Sequence, residues 1–415
     1  MAGSGPRYAW PLLAASALHH IHFEQRYNSL KRKVMKKITV NLLLVLICIV
    51  QSSVFAAGNI GKVEETTIHS HILGEKRQLI VYLPAGYEES KQQFPVLYIT
   101  DGDIQGAHTA GTIDFFAKFD QAPGMIVVGI LSPANKRNED LTLAKQNNQQ
   151  AKSLAGSDRF LAYLEDEVIP LIKSRYRTLD YQALSGTSHG GQFAINALIK
   201  RPNLFDGVIA ISPSLYWNNN QVIDLAEEAL KKQALHGRLF ISIANEEPMM
   251  RESFEKLVEL TKKYPSAKLH VSAKTFHDES HNSTTLLGQY HGLKHLFPNW
   301  AIPEAPQTLA DLQAIFSARS RLVGETMLIP EDRANGYGQW LQYLNRKDEA
   351  LELFTWNRKT YPQSLNAHTA LIRACLHFNL TDAAQSALED AIKSIHGLSS
   401  AQKAELEALF AMKAS

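Results

Sequence analysis

The sequence predicts an α/β fold on a mostly parallel sheet, followed by a smaller all-α region, and three observations lead to it. Short continuous apolar runs alternate with helix-like stretches between residues 95 and 276, the pattern of strands buried on both faces. Gly186-Thr187-Ser188-His189-Gly190 joins one of those runs to a helix-like stretch. After Pro298, Pro303 and Pro306 the strand signals stop and helical periodicity takes over.

The elements follow in order. Residues 66–73 and 77–84 alternate and are β-branched, which predicts a hairpin with Gly74-Glu75 in its turn. Apolar runs at 95–100, 125–131, 182–184, 208–212, 238–244 and 268–276 predict the remaining strands. Residues 158–175 carry Phe160, Leu161, Leu164, Val168, Ile169, Leu171 and Ile172 at helical spacing, with Ser157 as the cap; Pro170 should bend or restart that helix. Residues 192–200, 250–263 and 308–322 are further helices. Beyond them, Leu341 and Cys375, Leu344 and Phe378, Ala350 and Ala384, and Phe354 and Leu388 are each 34 residues apart. That period resembles tetratricopeptide repeats, helix pairs that bury their faces by stacking, in one to two copies. Such a region is expected to pack on the preceding domain or on the helix at 308–322, as a helical cap, a groove for a protein partner or a lid near the active site.

At 415 residues the chain exceeds the size of one core, so more than one domain is expected. Residues 1–57 hold seven Lys/Arg and one acidic residue, leaving 36 basic and 40 acidic residues in the rest. That balance excludes a basic nucleic-acid surface. Lys31, Arg32, Lys33, Lys36 and Lys37 precede the apolar residues 42–50, then Gln51-Ser52-Ser53 and Val54-Phe55-Ala56. This is the layout of a secretory signal peptide cleaved after Ala56, its apolar segment about half the ~20 residues that span a bilayer. Met35 suits the start of such a signal, which leaves residues 1–34 without a role in the fold. Ile47 before Cys48 is too large for a lipoprotein site. The expected product is exported, periplasmic or secreted, without a stable membrane anchor. It keeps Cys375 alone and therefore no intramolecular disulfide. The expected organisation is 1–57 extension and signal, 58–300 α/β domain and 301–415 helical domain.

The chemistry is expected at the carboxyl ends of the strands. A serine on a sharp strand-to-helix turn needs small neighbours, so Gly186-Thr187-Ser188-His189-Gly190 makes Ser188 the candidate nucleophile. A serine hydroxyl needs a base, itself oriented by a third group. In the α/β-hydrolase order these follow as acid and then histidine. Asn245-Glu246-Glu247 follows the 238–244 run, and His277-Asp278-Glu279-Ser280-His281 follows the 268–276 run. His281 is preferred over His277 because a loop past the strand can reach back to the serine. Glu246 is preferred over Glu247, with either able to stabilise the next helix instead. The oxyanion hole should use the amide of His189 and that of Asp103, with Gly102 permitting the turn in Asp101-Gly102-Asp103. No metal-ligand spacing is present, and no cofactor is required.

These motifs make the sequence resemble the Putative esterase (esterase D) family of α/β-hydrolases, especially its branch of periplasmic siderophore esterases, over about residues 60–300. The resemblance rests on Val81-Tyr82-Leu83-Pro84 with Gly86-Tyr87, Pro95-Val96-Leu97-Tyr98, Asp101-Gly102-Asp103, and Val127-Val128-Gly129-Ile130 with Arg137 and Asp140-Leu141-Thr142. It continues through Glu167-Val168-Ile169-Pro170, Tyr176-Arg177-Thr178, the serine turn with Gly191, Phe205, Ser212-Pro213-Ser214 with Trp217, and Glu279-Ser280-His281. It implies an α/β-hydrolase fold, Ser188 as nucleophile, His281 as base, an oxyanion loop at 101–103, and Trp217 lining the acyl or alcohol pocket or filling a structural role. Gln182 departs from the family's arginine before the turn, and Tyr216-Trp217 stand where the family has its aromatic pair. Some siderophore esterases work with a Ser-His pair alone, which leaves the acid open. The reading is an exported serine esterase acting through an acyl-enzyme on a small-molecule or carbohydrate ester: a siderophore lactone, or alternatively a feruloyl or acetyl ester, or an acyl transfer. The rival of another class is a non-catalytic scaffold that binds a protein through its helical repeats.

Overall fold

The computed structural model describes residues 61–143 and 156–411. The expectations for the signal peptide, the cleavage after Ala56 and the start at Met35 lie outside the described residues. Ile60–Ser415 forms one compact unit.

Among the described residues the sheet has eight strands: β1 Val63–Ser70, β2 Glu75–Tyr82, β3 Phe94–Thr100, β4 Ile126–Ile130, β5 Thr178–Thr187, β6 Gly207–Ile211, β7 Gly237–Ala244 and β8 Leu269–Phe276. Their order is β1-β2-β4-β3-β5-β6-β7-β8. The β1–β2 and β2–β4 pairings are antiparallel, and all pairings from β4 to β8 are parallel. β3, β4 and β6 are buried along their whole length, because helices cover both faces. Together with the helices between strands, this is the α/β-hydrolase fold.

The helices between strands are α1 Gly102–Lys118, α2 Arg137–Leu141, α3 Gly156–Tyr163, α4 Ile169–Arg175, α5 His189–Lys200, α6 Trp217–Lys231 and α7 Pro248–Lys263, and α8 Thr284–Leu296 follows β8. Three expectations change in detail. Glu75 starts β2 rather than sitting in the turn, which Gly74 closes at φ 73° with its amide on Ser70 O. β5 runs well beyond residues 182–184 because its ends pair with β3 and β6. The stretch 158–175 is interrupted by a π-helical turn, Leu164–Val168, directly before the segment holding Pro170. Proline has no N–H to donate, and a widened turn is one way a helix absorbs that loss.

The C-terminal region is helical: α9 Leu309–Val323, α10 Glu331–Tyr343, α11 Lys347–Thr360, α12 Leu365–His377, α13 Thr381–Ser394 and α14 Ser400–Ala411. Thr308 caps α9 through a capping box with Asp311. α10 and α12 begin 34 residues apart, as do α11 and α13. Leu341, Ala350, Phe354, Cys375, Ala384 and Leu388 are buried together, whereas Leu344 is exposed. Arg319 of α9 attaches this region to the sheet domain. It is buried, donates to Trp300 O at 2.9 Å and to Asp120 Oδ2 at 2.7 Å, and lies over the Trp300 ring.

α2 is fixed from below by a buried ion pair. Arg77 of β2 donates to both Asp140 carboxylate oxygens, at 2.6 and 2.9 Å, and both side chains are nearly inaccessible. Removing one member of a buried pair strands the other's charge, which typically costs about 3–5 kcal/mol. Glu75 remains beside Arg77, so Asp140→Ala should fall at the low end, about 3 kcal/mol, in urea denaturation; a loss under about 1 kcal/mol would show that the pair does not anchor α2.

Candidate active site

The turn after β5 is strained. Ser188 has φ 61° and ψ −121°, a backbone region that residues with a Cβ rarely enter. Its amide donates to Ile211 O at 3.0 Å, and its carbonyl accepts from Gln192 N at 3.0 Å and Ser214 N at 3.1 Å. The glycines are required by close approach. A Cβ on Gly186 would lie 2.2 Å from Gly190 O, and one on Gly190 would lie 2.2 Å from Thr100 Oγ1. The strain is thus held by three backbone hydrogen bonds and two glycines. The Ser188 hydroxyl is bonded to Ser214 Oγ at 3.2 Å.

His281 and Glu246 come from the loops after β8 and β7, neighbouring parallel strands. The Asn245 amide donates to Glu279 O at 3.0 Å and ties the loops together. The His281 Nδ1 to Glu246 Oε2 distance is 2.8 Å, with Glu246 at 4 % and His281 at 36 % side-chain exposure. Glu247 and His277 both face solvent, so the structure brings Glu246 and His281 together and leaves the alternatives apart. The carboxylate holds the proton on Nδ1 and leaves Nε2 as the acceptor.

The hydrogen bond that His281 donates to Glu246, outweighing burial, raises the His281 pKa above its ordinary value. Burial pushes the Glu246 carboxyl up, but His281 and then the adjacent Ser212 hydroxyl outweigh it and bring it below the usual range.

β3 and β5 are neighbouring parallel strands, so α1 and α5 start side by side at the same sheet edge. The first amides of a helix have no intrahelical acceptor and carry its positive end. Those of Gly102 and Asp103 at the start of α1, and of His189 at the start of α5, therefore open at that same edge. One expectation is corrected here. The left-handed residue is Asp101, at φ 55°, and Gly102 does not supply the turn. Gly102 is needed because a Cβ there would lie 2.4 Å from the Gly129 backbone of β4.

Two side chains border the turn. Trp217 is half-buried, with its ring edge-on to His189 at 5.0 Å between centroids. Asn218, Asn219 and Asn220 after it all adopt left-handed φ, which delays the start of regular helix in α6; asparagine tolerates that region best among residues with a Cβ. Burial, followed by the charge of Arg137, lowers the His189 pKa. Arg137 of α2 forms a two-bond ion pair with Asp101, at 2.5 and 2.9 Å. Sequence reasoning gave neither this pair nor Ser214 a role, although both lie in stretches that carry the family resemblance. Among the described residues no group of three or more His, Cys, Asp or Glu side chains could hold a metal ion, and no helix is long and apolar enough to cross a membrane.

Residues 70–298 match the family described as Putative esterase, more than half of the chain. The chain belongs to that family. An IroE-like serine hydrolase from Shewanella oneidensis superposes with a TM-score of 0.63 at 25 % identity, covering 72 % of this chain and 100 % of its own. An uncharacterised protein from Capnocytophaga ochracea superposes with a TM-score of 0.64 at 15 % identity over 85 % of this chain and 100 % of its own, a likeness of fold that extends beyond the family segment. The siderophore triacetylfusarinine C esterase of Aspergillus fumigatus is 32 % identical over 163 residues, 35 % of this chain and 54 % of that enzyme. The chain thus spans about half the length of that relative.

The paired shifts predict a pH window. Raised in the fold, the His281 pKa gives stability that is complete below about 6.5 and is lost as pH rises through the folded value. The lowered Glu246 pKa gives stability present above about 4.3 and lost as pH falls through its folded value. The pair should therefore contribute most between those limits. An NMR titration should place the His281 midpoint above 6.5 and move it down in Glu246→Gln; an unchanged midpoint would show that Glu246 does not control it.

Proposed function

We propose that this protein is a serine esterase that hydrolyses carboxylic esters through an acyl-enzyme. One observation carries the reading: a serine on a strained, glycine-bounded turn shares a sheet edge with a histidine held by a buried carboxylate. Family membership and relatives named as esterases support it.

Ser188 Oγ attacks the ester carbonyl carbon and its proton passes to His281 Nε2, while Glu246 stabilises the imidazolium. The carbonyl oxygen takes up the negative charge and accepts from the amides of His189 and Asp103, where two helix N-termini converge. The intermediate collapses, the C–O bond to the alcohol breaks, and His281 returns its proton to the departing oxygen. Water then attacks the acyl carbon while its proton passes to His281 Nε2; the second intermediate collapses, the bond from the acyl carbon to Ser188 Oγ breaks, His281 returns the proton to Oγ, and the acid leaves. The free structure has Ser188 on Ser214. A turn of the serine side chain toward His281 completes the contact, as catalytic hydrogen bonds commonly tighten only with substrate bound.

The substrate favoured is a siderophore ester. The support is the named activity of the Aspergillus fumigatus relative, together with an indole and a cation, Trp217 and Arg137, near the serine turn, suited to an aromatic or anionic acyl group. The basic segment before residues 42–50 supports export with cleavage after Ala56, which N-terminal sequencing of the mature protein tests.

Hydrolysis of p-nitrophenyl acetate and of a catecholate trilactone by wild type, Ser188→Ala and His281→Ala tests the reading. Each variant should lose on the order of 10⁴-fold or more in kcat. The acid limb of kcat/KM should lie above about 6.5, since the raised His281 must be neutral to act. Hydrolysis retained in Ser188→Ala sinks the proposal.

A further inference from the structure

We propose that Arg137 is a positioning residue: it draws the Asp101 carboxylate away from the start of α1 and so keeps the Asp103 amide open for the oxyanion. The inference rests on the esterase reading above and adds a role to that site.

Asp101 occupies the N-cap position of α1, with Gly102, Asp103 and Ile104 as the first three helical residues. Aspartate is among the strongest N-caps because its side chain accepts from the second or third helical amide. Here it makes no such bond. Its backbone carbonyl accepts from Ile104 N at 3.0 Å and Gln105 N at 2.8 Å, which closes the first turn. The carboxylate goes instead to Arg137, with Oδ1 on Nε at 2.5 Å and Oδ2 on Nη2 at 2.9 Å. The left-handed backbone of Asp101, at φ 55° and ψ 46°, is not the extended conformation from which an N-cap side chain reaches the next amides, and the two-bond pair with Arg137 holds the carboxylate on that side.

The carboxylate is also close to the reacting groups. A Cβ on Gly190 would lie 3.5 Å from Asp101 Oδ2, so the carboxylate lies between the start of α1 and the start of α5. Released there, it would have two helix N-termini as competing partners. With its backbone returned to the extended conformation usual for an N-cap, the released carboxylate would cap the second helical amide, occupy Asp103 N–H, the donor that the developing oxyanion needs, and place a negative charge beside it. The two-bond grip suits arginine, whose planar fork matches a carboxylate; lysine has no equivalent. α2 in turn is set by the Arg77 pair with Asp140, which gives Arg137 a fixed base.

The test is a double-variant cycle on p-nitrophenyl acetate, a substrate too small and neutral to need an arginine contact. Arg137→Gln should lower kcat by roughly 10²-fold, the effect of losing one oxyanion donor, with KM little changed. Asp101→Gly removes the carboxylate and suits φ 55°. The double variant should regain at least about tenfold in kcat over Arg137→Gln, because no carboxylate is left to occupy the amide. Arg137→Lys should fall between wild type and Arg137→Gln. Thermal melts and the far-UV spectrum separate loss of fold from loss of activity. A loss confined to KM, or a double variant no better than Arg137→Gln, overturns the proposal while leaving the esterase reading intact. A wild type without hydrolysis at Ser188 overturns the esterase reading itself.

Discussion

The backbone of Ser188 is the constraint on which the site depends. A residue with a Cβ at φ 61° and ψ −121° is unfavourable in isolation. It persists here because β5 is pinned between β3 and β6 and because Ile211, Gln192 and Ser214 each engage the Ser188 backbone. Gly186 and Gly190 then follow as necessities, since side chains there would collide with the turn or with Thr100. The conformation projects the serine hydroxyl at the sheet edge where α5 begins, and parallel pairing brings the ends of β3, β7 and β8 to that same edge. The chemistry is thus a consequence of strand direction, with side chains supplied by loops.

Charge is managed in pairs around that edge. Glu246 is buried but has His281; Asp101 has Arg137; Asp140 has Arg77. α2 is the element common to the last two pairs, a helix of five residues clamped to β2 at one position and to the end of β3 at another. A loop so short would have little apolar area to hold it. Two-bond arginine pairs give it a defined position, which matters because its neighbours are helix N-termini that would otherwise attract a loose carboxylate.

Much of the fold was legible in the sequence because fully buried parallel strands are written as uninterrupted apolar runs, and the runs at 95–100, 208–212 and 238–244 lie within a residue or so of β3, β6 and β7. Asp180 and the polar end of the serine turn mask the full length of β5, which only pairing with its neighbours defines. The choice between Glu246 and Glu247 needed loop geometry, in which one of two adjacent carboxylates points inward. The turn made by Asp101 looks the same in sequence as one made by Gly102, because a sequence shows that a glycine is present but not whether φ or a neighbouring backbone demands it. Long-range pairs such as Arg137 with Asp101, 36 residues apart, leave no periodic trace. The spacing of 34 residues was visible in the C-terminal helices, yet Arg319, which ties them to Trp300 and Asp120, has no local signature.

The most direct measurement is to react the protein with a fluorophosphonate and map the adduct by peptide mass spectrometry. One stoichiometric adduct on Ser188 is expected, formed with a rate that rises as His281 loses its proton. An adduct on another serine, or a folded protein that takes up no label, would contradict it.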